Sequence, residues 1–399
     1  MRDKDEKAVR VLIVTKLFPN RVKPLASSFN RQQFAELAKK CEVSVIAPRP
    51  WFPGAKFLKK WSDAGDLADL PARDVVHGQA VEHPRQLYIP KFGHGIAAPL
   101  TTGSLLHLVP RYRGKIDVIL ASWAFPHGPS CVHLGKLLGV PVAVKVHGSD
   151  INVIAAMPGP RKSLRRWLPK ANRIVAVSRE LGLKCEKLGV AKDNVDLVYN
   201  GVDSSVFYPR DRAKARTALG LPSSKKIILF VGWLLETKGV LDLANAFMAL
   251  QAKEPDAELI FVGEGPARQQ LEGIVGNRPG VTLAGAQKLD AVADWMAACD
   301  LLCLPSWNEG TPNVVLEALA SGRKVVASSV GGIPDLIQSN ELGRLVPPKN
   351  PKKLSEALLS TLAEPYEPNN VSTLGSRGSW AESAEALYQS LLKTISQSK

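Results

Sequence analysis

The chain has 399 residues, of which 45% are hydrophobic and 22% charged, which fits a folded protein of two domains and excludes a largely disordered one. Its formal net charge of +15 is unevenly placed: residues 1–200 carry 32 Lys and Arg against 16 Asp and Glu, whereas residues 201–399 carry 20 against 21. This asymmetry indicates that the first half meets something anionic, such as a membrane surface, a phosphorylated lipid, an acidic glycan or nucleic acid.

The N-terminal stretch mixes charges of both signs before a short apolar run, which does not fit a signal or transit peptide. No apolar run in the sequence reaches membrane-spanning length. The five cysteines are scattered and odd in number, which favours reduced thiols over a disulfide framework. These features predict a cytoplasmic protein.

Apolar, β-branched runs alternate with helical patterns along most of the chain. In the first half they predict strands at 9–15, 43–48, 116–122, 140–148, 173–178 and 195–200. In the second half they predict strands at 225–232, 257–263, 281–285, 301–306 and 324–329. Near-continuous apolar strands that are each followed by a helix indicate parallel sheets covered on both faces. The sequence therefore predicts two doubly wound, Rossmann-like α/β domains.

Two polar segments interrupt this pattern. The charged, Ser- and Pro-rich segment 203–226 is the predicted hinge, and a Pro-, Asn- and Ser-rich gap at 364–379 precedes a last helix at 380–395. We expect an N-terminal domain, a second domain and a C-terminal helix that packs back on the first domain, over 1–205, 206–375 and 376–399. Ligands of such sheets bind beyond the carboxyl ends of the strands, so the expected site is a cleft between the domains.

A dinucleotide-binding fold needs G-x-G-x-x-G after its first strand. The segment that follows strand 9–15, KLFPNRVKPLASSF, contains no glycine. The sequence also lacks a Walker lysine motif, a His-Cys metal cluster and G-x-S-x-G. An ordinary dehydrogenase is therefore disfavoured.

The segment NEGTPNVVLEALASG, residues 308–322, predicts a short helix with an anion site at its start. Thr311 is the predicted cap, Pro312 the first helical residue and Gly322 the end. The amides near Gly310 and Thr311 would then gather at the helix N-terminus, where an anion is favoured.

Asn313 and Glu317 share one polar stripe of this helix with Ser321. The stripe faces either solvent or a ligand. Because the helix follows strand 301–306, it begins at the carboxyl edge of the sheet, where the ligand is expected. A carboxylate in a partly dry site needs hydroxyl partners, which sugars and ribose supply.

Seven segments of the chain, taken in order, resemble motifs of the retaining, GT-B-fold glycosyltransferases of family 4. EGTPNVVLE is similar to the E-x7-E motif of that family. The other six are VHGSD (146–150), VSREL (177–181), VYNGVDSSVFYP (198–209), KGVLDLANAF (238–247), FVGEGPARQQLE (261–272) and SVGGIPDLI (329–337). The resemblance covers nearly the whole chain, and SWAFPHG followed by VHGSDIN is most similar to members that build bacterial surface polysaccharides.

The resemblance implies a retaining hexosyltransferase whose co-substrate is a nucleotide-diphosphate sugar and which needs no other cofactor. By the pattern of the family, Glu309 would hold hydroxyls of the donor sugar, Glu317 the ribose and Lys238 the diphosphate. His147 would lie near the transferred sugar, and Asp150 would bind acceptor or sugar. His147, Lys238 and Glu309 are thus the candidate catalytic residues. Outside this pattern, His147 would be an ordinary strand-end residue and Lys238 a solvated surface lysine.

The expected donor-binding residues share a place at the carboxyl ends of the strands in the second domain: Gly232, Trp233, Lys238, Gly263, Glu309, Gly310, Thr311, Asn313 and Glu317. Trp233 departs from the pattern, because many members have arginine there, and tryptophan stacks but cannot neutralise phosphate. The glycine pair that often follows the first strand is also missing. Ser27, Ser28 and Arg31 follow instead, and we expect them to contact the acceptor. The only Asp-x-Asp, Asp3 to Asp5, precedes the first strand, so we expect no metal requirement.

Basic and aromatic residues interleave in the first half at 51–61, which includes Lys60 and Trp61, and at 160–173. The second stretch predicts a short helix with Arg161, Lys162, Arg165 and Arg166 on its surface. Such a stretch suits an anionic lipid interface, and a solvated helix face fits it equally well. With the acceptor expected on the first domain, the predicted acceptor is a glycan or a polyprenyl-diphosphate-linked saccharide at the inner face of the cell membrane, and no nucleic acid is expected.

Two other functions fit the same residues. A nucleotide-sugar epimerase on this fold would change the sugar of the donor without an acceptor. A non-enzymatic, basic polysaccharide or nucleic-acid binder would keep its function without Glu309.

Overall fold

The computed structural model describes residues 8–24, 26–59, 62–89, 95–276 and 278–398. Asp3, Asp5, Lys60 and Trp61, which have predicted roles above, lie outside these residues. The chain divides into two compact units, Met1–Asn200 with Trp380–Lys399 and Gly201–Ser379. These divisions lie a few residues from the expected domain boundaries.

The first unit is built on an eight-stranded sheet in the order β10-β9-β8-β7-β1-β2-β5-β4. The strands are β1 (Arg10–Val14), β2 (Glu42–Ile46), β3 (Arg49–Trp51), β4 (Arg73–Val76), β5 (Gln79–Glu82), β6 (Arg85–Leu87), β7 (Val118–Ser122), β8 (Val142–Val146), β9 (Arg173–Ala176) and β10 (Val195–Leu197), of which β3 and β6 form a separate pair. The helices are α1 (Ser28–Ala38), α2 (Asp63–Asp66), α3 (Ala97–Leu105), α4 (Val109–Tyr112), α5 (His127–Leu138), α6 (Ser149–Asn152), α7 (Pro158–Trp167) and α8 (Arg179–Lys187).

Alternate residues of the strands enter two separate hydrophobic cores, one on each face of this sheet. In β1, Leu12 and Val14 belong to one core, while Val11 and Ile13 belong to the other. Successive side chains of a strand point to opposite faces, so a sheet covered on both faces needs apolar residues throughout. This is the physical reason for the continuous apolar runs in the sequence.

The second unit contains a six-stranded parallel sheet in the order β13-β12-β11-β14-β15-β16. Its strands are β11 (Lys226–Val231), β12 (Ala257–Val262), β13 (Val281–Gly285), β14 (Leu301–Leu304), β15 (Lys324–Ser328) and β16 (Gly343–Val346). Its helices are α9 (Arg212–Ala218), α10 (Val240–Gln251), α11 (Arg268–Val275), α12 (Leu289–Ala298), α13 (Asn313–Ala320), α14 (Ile333–Leu336), α15 (Pro351–Ala363) and α16 (Pro368–Gly375). Both units are therefore doubly wound, as the sequence predicts.

Every predicted strand is present, with ends that differ from the prediction by at most three residues, but the structure corrects the sequence interpretation in several places. The predicted hinge contains α9, because Asp211 caps this helix and Arg216 anchors it through a 2.7 Å hydrogen bond to Asp300. The predicted polar gap at 364–379 contains α16. The short strands β3 to β6 and β16 were not expected, and β4 pairs antiparallel with β5, against the expectation of wholly parallel sheets.

The last helix, α17 (Trp380–Ser396), packs on α1 and completes one core of the first unit. A buried polar chain supports this contact. Lys145 Nζ donates to Gln33 Oε1 at 2.5 Å, and Gln33 Nε2 donates to Ser383 Oγ of α17 at 2.8 Å. Lys145 is fully buried on β8, and burial lowers its pKa to about 7 because the charged form is poorly solvated there.

The burial of Lys145 makes the stability of the first unit depend on pH. Between about pH 7 and the ordinary lysine pKa of 10.5, the unfolded chain holds a proton that the folded chain lacks, so the free energy of unfolding rises with pH. Lys145→Met should remove up to ~1.4 kcal/mol of this rise for each pH unit. Urea unfolding at several pH values checks the slope, with the exposed Lys187→Met as control. Equal slopes in Lys145→Met and wild type would contradict the expectation.

Candidate active site

Loops that follow β11, β14 and β15 meet at the carboxyl edge of the sheet in the second unit. These strands lie side by side. The backbone N–H of Trp307 donates to the carbonyl oxygen of Thr237 at 2.9 Å and so joins the first two loops. Gly331, in the third loop, has φ +59°, and a Cβ there would lie 2.2 Å from the carbonyl oxygen of Glu309. Only glycine fits at this approach, which fixes the backbone that carries Glu309.

The carboxylate of Glu309 is held by two side chains. Its Oε1 accepts hydrogen bonds from Lys238 Nζ and Ser306 Oγ, each at 2.7 Å. Glu309 is only 9% exposed, while 31% of the Lys238 side chain remains exposed. A buried carboxylate needs such partners to stay charged. An ammonium has three donors, so the exposed side of Lys238 can still meet a phosphate oxygen of a ligand.

The helix α13 begins one residue later than predicted. Pro312 has ψ 118°, outside the helical range, so it occupies the cap position that was expected for Thr311. No side chain caps the helix, and Thr311 is buried in the preceding loop. Gly322, with φ +72°, follows the end of the helix as predicted. The helix therefore begins at Asn313, and in its first turn the Val315 N–H donates to the carbonyl oxygen of Pro312 at 3.1 Å.

Glu317 lies one turn further along α13 and is partly buried. Among the described residues, its carboxylate has neither a hydrogen bond nor an ion pair. Burial raises the pKa of Glu317 to about 7, because a charged carboxylate without partners is disfavoured there. Both oxygens of this side chain are thus available to a ligand.

The backbone after β11 is tightly fixed, while the next side chain is exposed. Gly263 has φ +149°, and a Cβ there would lie 1.9 Å from the carbonyl oxygen of Gly232. Trp233 is 69% exposed. Its ring makes no aromatic or cation–π contact with the part of the chain that the structure describes. The exposed indole can therefore stack on a ligand that binds at the same sheet edge as Lys238.

In the first unit, His147 follows β8, and its Nε2 lies 2.8 Å from Ser122 Oγ at the end of β7. Burial, with a smaller effect of the Lys145 charge, holds the pKa of His147 well below its usual range, so the ring is neutral. The rings of Phe29 and Trp123 lie 5.4 and 6.2 Å from it, centroid to centroid. A neutral imidazole in this setting can exchange a hydrogen bond with a hydroxyl group through Nδ1.

Asp150 serves the backbone of its own unit. Its carboxylate is fully buried and accepts from the backbone N–H groups of Ala124, His147 and Gly148 at 2.9, 3.0 and 2.8 Å. It also accepts from its neighbour Ile151 at 3.1 Å. This geometry favours a positioning role, in which Asp150 fixes the loop of His147, over the predicted contact with acceptor or sugar.

The predicted acceptor residues Ser27, Ser28 and Arg31 surround the start of α1. Ser27 has φ 53° and precedes the helix, while Ser28 is exposed and Arg31 partly buried. Phe29, between them, contacts the ring of His147. The structure therefore brings the start of α1 close to His147.

Ser306, Ser122 and Gly331 belong to these sites but do not stand out in the sequence. Ser122 ends β7 and Ser306 follows β14 by two residues, and this place at the carboxyl end of a strand is the signal that could have found them. Gly331 lies within the SVGGIPDLI segment, where only the three-dimensional contact reveals its role.

Within the described ranges, no helix is both long and apolar enough to cross a bilayer. The same residues contain no group of three or more His, Cys, Asp or Glu side chains arranged to hold a metal ion.

Comparison with known proteins gives matches over most of the chain. Residues 27–206 match the family described as Glycosyltransferase Family 4, and residues 225–364 match that described as Glycosyl transferases group 1. TuaC of Bacillus subtilis, a glycosyltransferase assigned to teichuronic acid biosynthesis, is 31% identical over 362 residues, which are 88% of each chain. N-acetyl-alpha-D-glucosaminyl L-malate synthase of Bacillus anthracis is 31% identical over 239 residues, 58% of this chain and 62% of that protein.

Solved structures with the same fold include two that align over almost the whole chain. Sucrose-phosphate synthase of Thermosynechococcus elongatus has a TM-score of 0.68 at 21% identity and covers 97% of both chains. HepE of Anabaena in complex with UDP has a TM-score of 0.69 at 19% identity, with 96% of this chain and 100% of that chain covered. At these identities the likeness shows the fold alone, and it confirms the predicted GT-B fold.

The free energy of unfolding of the second unit should respond to Glu317 in a pH-dependent way. From the ordinary pKa of 4.5 to about 7 the folded state holds the extra proton, so this carboxyl lowers stability as pH rises. Glu317→Gln should raise the free energy of unfolding by ~1–2 kcal/mol near pH 8 and have little effect near pH 4. Urea unfolding at both pH values checks this, with the exposed Glu341→Gln as control. A gain that is the same at both pH values would refute the expectation.

Proposed function

The chain belongs to the family 4 glycosyltransferases, and we propose that it transfers a hexose from a nucleotide-diphosphate sugar to a glycan or lipid-linked saccharide, with retention of anomeric configuration. The observation that carries this proposal is the Lys238–Glu309 pair beside the first turn of α13. It joins a cation suited to phosphate with a carboxylate suited to sugar hydroxyls. The similarity to TuaC supports a role in bacterial polysaccharide biosynthesis.

The proposed donor site uses groups of the second unit. Lys238 and the amides at the start of α13 would hold the diphosphate, because a helix N-terminus favours an anion. Glu309 would accept hydrogen bonds from hydroxyls of the sugar. The carboxylate of Glu317, which has no partner among the residues that the structure describes, would accept them from the ribose. The UDP complex of HepE supports a nucleotide donor.

In the proposed reaction, the bond between the anomeric carbon and the phosphate oxygen breaks. The acceptor hydroxyl oxygen bonds to that carbon on the same face, and the departing phosphate oxygen takes the hydroxyl proton. Lys238 and the α13 amides would stabilise the charge that develops on the leaving group. Trp233 adds no charge at this sheet edge, so Lys238 would carry a larger share of that stabilisation. We propose that these groups act without a metal ion, and His147 remains the predicted contact of the transferred sugar.

We also propose that the protein contacts an anionic membrane through the α7 basic face, defined as Arg161, Lys162, Arg165 and Arg166. All four side chains are exposed. None of them has an acidic partner among the described residues. Trp167 ends α7, and Lys170, just after the helix, and Lys136 of α5 lie 4.5 and 5.5 Å from its ring. Cations without acids beside an aromatic ring match the charge of an anionic lipid surface.

The role of Glu309 can be tested by Glu309→Gln. This change keeps the hydrogen bond of Ser306 but removes the charge that orients Lys238, so the transfer rate should fall on the order of 10²- to 10³-fold. A thermal-shift panel of uridine, guanosine and adenosine diphosphates and their sugars first identifies the donor, because a ligand that binds the folded state raises its melting temperature. Product formation with that donor then gives the rate.

Glu356→Gln, on the exposed face of α15, is the matched control and should keep the wild-type rate. Unchanged function in Glu309→Gln would point to a non-enzymatic binder. A donor sugar that changes configuration without any acceptor would point to an epimerase.

The α7 basic face predicts salt-dependent binding to phosphatidylglycerol vesicles. Each near-surface cation contributes ~1 kcal/mol, so Arg161→Gln, Arg165→Gln and Arg166→Gln together should weaken binding on the order of a hundredfold. Co-sedimentation at low and high salt measures it. A control with the same charge change, Lys115→Gln, Lys187→Gln and Lys192→Gln on exposed sites of the same unit, should bind as wild type. Vesicle binding that does not change with salt, or that the triple arginine substitution leaves unchanged, would rule out this face.

A further inference from the structure

A second group of polar side chains, Lys16, Trp123 and His127, lies at the carboxyl edge of the sheet in the first unit. We refer to it as the Trp123 cluster. Lys16 follows β1, while Trp123 and His127 follow β7, the neighbouring strand. Lys16 Nζ lies 4.4 Å from the centroid of the Trp123 ring, and that ring is 6.2 Å from the ring of His147. The cluster therefore adjoins a candidate catalytic residue.

Three buried polar atoms of this cluster have no hydrogen-bond partner within the part of the chain that the structure describes. They are Trp123 Nε1 and both ring nitrogens of His127. Trp123 is 5% exposed and His127 1%. A buried polar group without a partner costs ~1–3 kcal/mol, so native proteins rarely leave one without a water, an ion or a ligand. Because Trp123 lies beside the candidate catalytic residue His147, these atoms point to a polar ligand at this edge of the sheet.

The chemistry of the Trp123 cluster defines that ligand. An indole N–H and an ammonium only donate, and a neutral imidazole offers one donor and one acceptor. Burial, with a further effect of the Lys16 charge, lowers the pKa of His127 to about 3, so the ring is neutral and Lys16 supplies the positive charge. The carboxylate of Asp150, which reaches the residue after Trp123, already accepts from the backbone N–H groups of Ala124 and His147. A group with several anionic oxygens would satisfy these donors.

We propose that Lys16, Trp123 and His127 form a subsite for an oxyanion of the acceptor substrate, beside His147. The indole and imidazole N–H groups donate to the oxyanion, and the exposed ammonium of Lys16 balances its charge. This inference rests on the proposed transferase function and deepens it, because it makes the acceptor an anionic molecule. The oxyanion is either a phosphate, as in a lipid-linked saccharide, or the carboxylate of an acidic sugar.

The subsite can be tested by NMR on the full-length protein labelled with ¹⁵N in tryptophan and histidine. The donor site is first saturated with whichever of UDP, GDP or ADP stabilises the protein. Inorganic pyrophosphate, inorganic phosphate and glucuronate are then titrated separately. We expect the Trp123 indole signal and the His127 ring signals, assigned by their loss in Trp123→Phe and His127→Gln, to shift until saturation. Each of these variants should weaken binding about tenfold or more, as loss of one charge-assisted hydrogen bond does.

The control His107→Gln changes an exposed histidine of the same unit and should bind as wild type. Shifts with phosphate or pyrophosphate identify a phosphate acceptor, and shifts with glucuronate identify a carboxylate. The subsite is refuted if none of the three anions moves these signals, or if Trp123→Phe and His127→Gln bind as wild type. The wild-type shifts stand even if a variant folds poorly. Failure of the transferase proposal would appear separately, as absent nucleoside diphosphate binding or as full activity in Glu309→Gln.

Discussion

All the chemistry assigned to this protein depends on one geometric constraint, that parallel strands end at the same edge of a sheet. In the second unit, the adjacent ends of β11 and β14 bring Lys238 to within 2.7 Å of Glu309, although 71 residues separate them. In the first unit, the ends of β1, β7 and β8 bring Trp123 and His147 together in the same way. A short loop after each strand is then enough to place a side chain in the site at that edge. In each unit the polar groups of the site therefore lie at one edge of the sheet, while the apolar residues of the strands form the core.

The two glutamates of the E-x7-E segment show how differently one such edge can treat the same side chain. Glu309 already accepts hydrogen bonds from Lys238 and Ser306, so its orientation is set before any ligand arrives. Glu317, two turns away, has no such partner in the described part of the chain, and burial raises its pKa to about 7. A preorganised carboxylate suits a group that must be placed accurately, whereas an unsupported one gains its partners only from the ligand. The cost of that arrangement falls on the stability of the free protein.

Much of this could be predicted from the sequence, for reasons that differ between elements. The strands were predictable because burial on both faces demands apolar residues in a row. Lys238 and Glu309 were expected because the segments around them resemble motifs of the family, and the structure brings their side chains together. The helix α9 could not be predicted, because its charged residues are typical of a solvent-exposed linker and the sequence does not show that Arg216 binds Asp300. The positioning role of Asp150 could not be predicted either, because its partners are backbone amides, which carry no sequence signal.

The position of α17 also has a consequence for how the chain is made. The second unit is continuous in sequence, Gly201–Ser379, but the first is completed only by residues that follow it. On the ribosome, the second unit is fully synthesised while the core of the first unit still lacks Leu387 and Leu391. The first unit also lacks the Ser383 hydroxyl that accepts a hydrogen bond from Gln33. During that interval an apolar strip of α1 is open to other nascent chains, a surface that chaperones are suited to cover. The first unit, whose synthesis starts before that of the second, is therefore completed after it.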